Sequence, residues 1–103
     1  ANELIFTAQM IPANKALDYG LVNQVAALEN LMETAETLAI KIAQQSPTAI
    51  SAAIAAVNAG LDPAQNGYET EIKHFGACFG TSDFKEGTTA FLEKRKAAFK
   101  GKL

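Results

Sequence analysis

Two dipeptides, Ser46-Pro47 and Asp62-Pro63, constrain the fold of this chain more than any other feature. A serine or aspartate before a proline offers a side-chain acceptor for orphan backbone N–H groups, and the proline fixes φ for the first helical turn. Each pair therefore predicts a helix start. The first opens a helix with Ile50, Ala53, Ile54 and Val57 on one side and Gly60 as its stop. The second opens a helix bearing the stripe Tyr68, Ile72, Phe75 and Phe79, interrupted by Gly76 at a close contact. Upstream, Leu28, Leu31, Met32, Ala35, Leu38, Ala39 and Ile42 recur with helical period. Glu29, Glu33 and Glu36 lie toward the amino end of that segment and Lys41 toward the other, the polarity a helix dipole favours.

A last helix is expected from Ser82, with Asp83 and Glu86 in its opening turns and Phe84, Thr88, Phe91 and Leu92 as its apolar positions. It closes on Lys94-Arg95-Lys96. Gly87 inside it costs about 1 kcal/mol of helix propensity relative to alanine, which implies a packing or functional need. Before these helices, residues 1–6 read as the last turns of an apolar helix, and Pro12 starts a short helix ending before Gly20, which suits a left-handed cap. Leu21 to Val25 is a short β-like stretch. The expected fold class is all-α, with about four main helices after a short irregular start, in one helical domain over residues 1–103.

Charge narrows the partners. Net charge is −2, but residues 1–84 hold three basic and nine acidic side chains, net −6, whereas residues 85–103 hold six basic and two acidic, net +4. The chain as a whole has no strong bias toward nucleic acid or a membrane surface, so neither partner is expected, although a local basic terminus remains on an acidic body. The longest apolar run, around Ala52 to Val57, falls far short of the roughly 20 residues a span needs. The start Ala1-Asn2-Glu3 lacks the cationic and apolar regions of a secretory signal and an initiator methionine, which suits an excised or processed segment. A lone cysteine, Cys78, precludes an intramolecular disulfide and is compatible with a reducing cytoplasm, the expected location.

Few residues carry chemistry on their own. Glu69 and Glu71, two apart on a helix, point to different faces. Glu86 and Glu93 share a face and suit dipole stabilisation and local pairing with cations. His74 and Cys78 make an i, i+4 pair, but two ligands do not make a structural zinc site. No metal site is expected. The alanines between Ala49 and Ala59 permit close helix packing. Lys94, Arg95 and Lys96 read either as a solvated helix end whose dipole favours cations, or as a phosphate clamp.

Composition favours the solvated helix end, and only a family resemblance, carried by the order of these elements, favours the clamp. Glu3-Leu4-Ile5 leads to a turn at Thr7. Ala16-Leu17-Asp18-Tyr19-Gly20-Leu21-Val22-Asn23, Ser46-Pro47, Glu86-Gly87 and Phe91-Leu92-Glu93-Lys94-Arg95 follow. This succession, over essentially the whole chain, resembles the carboxy-terminal portion of the enoyl-CoA hydratase/isomerase (crotonase) superfamily. One departure is Ala8-Gln9-Met10, where the family more often has glycine followed by an acidic residue. The resemblance implies a parent enzyme that reversibly hydrates a 2-enoyl-CoA to a 3-hydroxyacyl-CoA in fatty-acid or butanoate metabolism. Its catalytic glutamates and oxyanion-hole amides belong to an amino-terminal core, so no catalytic residue is assigned here and the segment alone is expected to be inactive. It further implies that Lys94 approaches the phosphate-bearing adenosine end of coenzyme A, that Phe91 and Phe79 face the nucleotide, and that the parent self-associates as a trimer or dimer of trimers. Coenzyme A thioester is then the substrate, and no prosthetic group is implied. An isomerase of the same superfamily and a noncatalytic helical assembly module are the alternatives.

Overall fold

The computed structural model describes residues 1–101. Among them the elements are α1 (Asn2–Thr7), α2 (Ala13–Asp18), a 3-10 turn (Leu28–Asn30), α3 (Leu31–Ala43), α4 (Pro47–Leu61), α5 (Gly67–Cys78) and α6 (Ser82–Leu92), with no strand. The all-α expectation holds. Leu21 to Val25 is irregular rather than extended in a sheet, because no described strand lies beside it to pair with. No helix among the described residues is long and apolar enough to cross a membrane.

The chain divides into two compact units at Thr37/Leu38, a point inside α3. In the first unit, Pro12 precedes α2 as expected and Gly20 lies in the left-handed region at φ 75°, just past the helix. α1 ends on Ala8, which takes φ 50° and ψ 31° at the position where the resemblance leads one to expect glycine. A left-handed L-residue costs about 1–2 kcal/mol, so alanine closes this turn at some expense. The Thr7 hydroxyl donates to the Glu3 carbonyl at 2.7 Å and closes the last turn of α1.

The second unit is organised by α4 lying against α5. Ser46 caps α4, its Oγ accepting from the Ala49 N–H at 3.2 Å, and Pro47 occupies the first turn. Gly60 does not stop the helix, which runs on to Leu61. The reason lies across the seam: a Cβ on Gly67 would meet the Gly60 Cα at 2.8 Å, so the helices touch backbone to backbone where side chains are missing. Ala59, only 3% exposed, lies beside this contact. Gly76 neither breaks α5 nor marks a close approach, since nothing lies within 4 Å of where its Cβ would stand.

Asp62-Pro63 does not open α5. The Asp62 carboxylate is consumed in the connecting turn, where Oδ1 accepts from the Ala64 N–H at 2.9 Å and Oδ2 from the Gln65 side chain at 3.0 Å. Asn66 caps α5 instead, its Oδ1 accepting from the N–H groups of Tyr68 at 3.1 Å and Glu69 at 3.3 Å. α6 is capped by Thr81, one residue before the expected Ser82, through an acceptor contact with the Phe84 N–H at 3.2 Å.

Candidate functional site

α6 sets the site, because its ends and one face fix everything around the carboxy-terminal cations. The helix stops at Leu92, so Lys94-Arg95-Lys96 does not form its last turn as the charge pattern suggests. Glu93 is the cap residue and Lys94 follows it at φ 54°. The Lys94 N–H donates to the Phe91 carbonyl at 3.2 Å and the Arg95 N–H to the Ala90 carbonyl at 3.0 Å. These two bonds make a Schellman termination, in which the left-handed position is ordinarily glycine. Here it is a lysine.

Two carboxylates then gather the residues beyond. Glu86 accepts from Arg95 twice, at 2.6 Å from Nη1 to Oε1 and 3.2 Å from Nη2 to Oε2, and once from the Ala98 N–H at 2.9 Å. Arg95 Nε also donates to Glu93 at 2.6 Å. The guanidinium fork matches carboxylate geometry, and the pairing of Glu86 and Glu93 with a basic side chain agrees with their spacing in sequence. The Arg95 hydrogen bond and the Ala98 N–H hold the Glu86 carboxyl down to about 2. Arg95 is correspondingly raised, chiefly by its hydrogen bonds to Glu86 and Glu93.

Asp83 is the residue sequence reasoning missed. Its side chain, 3% exposed, receives the Ser46 hydroxyl at 2.5 Å and the N–H groups of Lys100 at 2.9 Å and Gly101 at 3.2 Å. The Ser46 hydroxyl, with the two backbone donors, keeps its carboxyl below the ordinary value against the opposing effect of burial. Ser46 thus serves two helices, capping α4 through its lone pair and tying α6 through its proton. Gly101, at φ 68°, packs so closely on Pro47 that a Cβ would stand 3.1 Å from the ring. One turn along α6, a Cβ on Gly87 would lie 3.3 Å from Phe99, which is the packing need its presence in the helix implied.

The aromatic candidates are spread along the same unit. Phe79 caps α5, half-exposed, and its ring meets Phe75 edge-on at 5.2 Å and Phe84 tilted at 4.7 Å. Phe91, in the last turn of α6, is 83% exposed and makes no ring contact among the described residues. Periodicity alone would have placed both in a core. His74 and Cys78 line an open cavity of about 410 Å³ between α4 and α5, together with Thr48 and Ser51. Among the described residues no group of three His, Cys, Asp or Glu side chains could hold a metal ion.

Comparison with known proteins agrees with this architecture. The sequence model of the family described as Enoyl-CoA hydratase/isomerase matches residues 1–102, and the chain belongs to that family. The Short-chain-enoyl-CoA hydratase of Clostridium acetobutylicum is 44% identical over 97 residues, covering 93% of this chain and 37% of the relative. The Crotonyl-CoA hydratase of Syntrophomonas wolfei is 41% identical, covering 96% of this chain and 38% of the relative. In structure, the chain is similar to the enoyl-CoA hydratase of Bacillus anthracis, with a TM-score of 0.89 and 37% identity over 97% of this chain and 39% of that one. The chain therefore has the helical part of a crotonase fold and spans well under half the length of these relatives.

Proposed function

We propose that this chain is the carboxy-terminal segment of an enoyl-CoA hydratase that adds water reversibly to a 2-enoyl-CoA, giving a 3-hydroxyacyl-CoA. The observation that carries the reading is the run Phe91 to Arg95, folded so that a cation follows an exposed aromatic ring at the end of α6. Two relatives named as hydratases of short-chain enoyl-CoA and crotonyl-CoA support it, at 44% and 41% identity. In this reading Lys94 contacts the phosphate-bearing adenosine end of coenzyme A through a charge-assisted hydrogen bond, and Phe91 and Phe79 lie against the nucleotide.

The segment supplies no acid or base for the hydration step. Its exposed apolar side chains, from Leu31 and Met32 on α3 to Ile72 and Phe75 on α5, are surfaces for the rest of the polypeptide and for other subunits of a trimer or a dimer of trimers. The test is hydration of crotonyl-CoA by the full polypeptide and by this chain alone. Turnover by the full polypeptide only is expected, and turnover by the chain alone would overturn the reading. Because the matching family is described as both hydratase and isomerase, a double-bond isomerase is the second reading. Migration of the double bond without hydration would decide for it.

A further inference from the structure

Lys94-Arg95-Lys96 presents three adjacent cations, and the fold treats them differently. Arg95 is committed: its guanidinium donates to Glu86, to Glu93 and, at 3.3 Å, to the Lys96 carbonyl. Lys94 makes no ion pair among the described residues, yet it alone of the three has a left-handed backbone, at φ 54° in a termination that glycine would fill without strain. A lysine kept at such a position needs the surroundings to over-determine it, and such positions cluster where ligands are clamped. The surroundings here are the backbone bonds of Lys94 and Arg95 to α6 and the Arg95 fork onto Glu86, which also accepts from the Ala98 N–H.

We infer that Glu86 and Arg95 are positioning residues for Lys94. The carboxylate–guanidinium fork pins the chain immediately after the left-handed residue, so the Lys94 ammonium leaves the end of α6 in a fixed direction while the neighbouring arginine charge is neutralised. The inference rests on the reading of Lys94 as the contact to the phosphate end of coenzyme A. It adds that Arg95, although a better phosphate ligand by geometry, is withheld from the phosphate. A lysine on a frayed helix end would lose backbone freedom on binding, and fixing that segment beforehand removes the loss.

The test compares dissociation constants for coenzyme A and for its analogue lacking the ribose phosphate, in the full polypeptide. Lys94→Ala should weaken coenzyme A by about tenfold or more and leave the analogue nearly unchanged. Glu86→Gln should weaken coenzyme A by about three- to tenfold, again sparing the analogue, and should add nothing in the Lys94→Ala background, because it acts through that side chain. Arg95→Lys, which keeps the charge and loses the fork, should behave as Glu86→Gln and serves if that variant does not fold. Equal losses for both ligands in Glu86→Gln and Arg95→Lys, or a further loss in the double variant, would overturn the positioning role alone. Absence of ligand discrimination in Lys94→Ala would overturn the phosphate contact and the positioning role with it.

Discussion

The seam between α4 and α5 and the clasp that folds residues 95–101 onto α6 join parts of the same unit by opposite means. At the seam, side chains are removed until backbones meet, as at Gly60 and Gly67, with Ala59 buried alongside. At the clasp, two carboxylates are added and gather one guanidinium, one hydroxyl and three backbone N–H groups. The first contact is a matter of shape and is indifferent to salt and pH. The second is directional and charged, so it holds a short irregular segment in one conformation but responds to solution conditions. A segment with no regular hydrogen bonding of its own cannot be held by shape alone, since its N–H groups need acceptors.

Shape is the easier of the two to break. Gly67→Ala should destabilise the unit by about 1–3 kcal/mol, because its Cβ would meet backbone that cannot turn aside. Gly60→Ala should do the reverse and stabilise by about 0.5–1 kcal/mol, since its Cβ meets nothing within 4 Å and alanine is the better helix former. Thermal melts of both variants check the pair. A loss from both would mean that the seam is closed on both sides.

The clasp should fail locally rather than globally. Asp83→Asn removes the charge and leaves one acceptor oxygen where the carboxylate has two, so in either amide orientation an N–H faces a donor that Asp83 satisfies, Gly101 among them. Amide exchange at Lys100 and Gly101 should accelerate by about tenfold or more while α4 and α5 keep their protection. Uniform acceleration across the unit would show that the tail and the seam form one cooperative structure.

How far such contacts can be read from sequence depends on how far apart their partners lie. The α4 start was legible because Ser46 and Pro47 are adjacent and their effect is local. Asp62-Pro63 has the same composition, but whether an aspartate caps a helix or turns a loop depends on the following residues, and Asn66 had the better-placed oxygen. The end of α6 looked like a cationic last turn because a left-handed lysine leaves no trace in composition. Asp83 stood in plain view at a helix start, where a dipole role suffices to explain it. Its partners lie 37 residues earlier and 17 and 18 residues later, so no local pattern announces them. The exposed Phe91 was hidden for the converse reason, since helical spacing gives an apolar face without saying what covers it.

Acid should open the clasp in a definite window. The Glu86 carboxyl is lowered from 4.5 to about 2 by Arg95 and Ala98, with Lys100 acting in the same direction and burial opposing them. A group with a depressed folded value contributes its full stabilisation above the unfolded value and loses it as pH falls through the folded one. The Ala98 amide resonance should therefore stay unchanged down to about 4.5 and move only as pH approaches about 2. A midpoint near 4.5 would show that Arg95 does not hold the carboxylate in solution. Raised salt should shift that midpoint only modestly, since a bidentate pair with a backbone donor resists screening better than an isolated surface pair.

The smallest effects separate strain that serves a ligand from strain that does not. Ala8 and Lys94 are the two described non-glycine residues with positive φ, one closing α1 and the other closing α6. Glycine at either position relieves the left-handed penalty but frees the unfolded chain, so each substitution should gain a few tenths to about 1 kcal/mol. Ala8→Gly should bring that gain with no change in coenzyme A affinity, because alanine offers no group that a ligand could use. Lys94→Gly should bring a similar gain together with the loss of discrimination between coenzyme A and the analogue without the ribose phosphate. Were Lys94→Gly to stabilise the protein and leave that discrimination intact, the lysine would be tolerated in the turn rather than placed there, and the clasp would be a device for folding the tail alone.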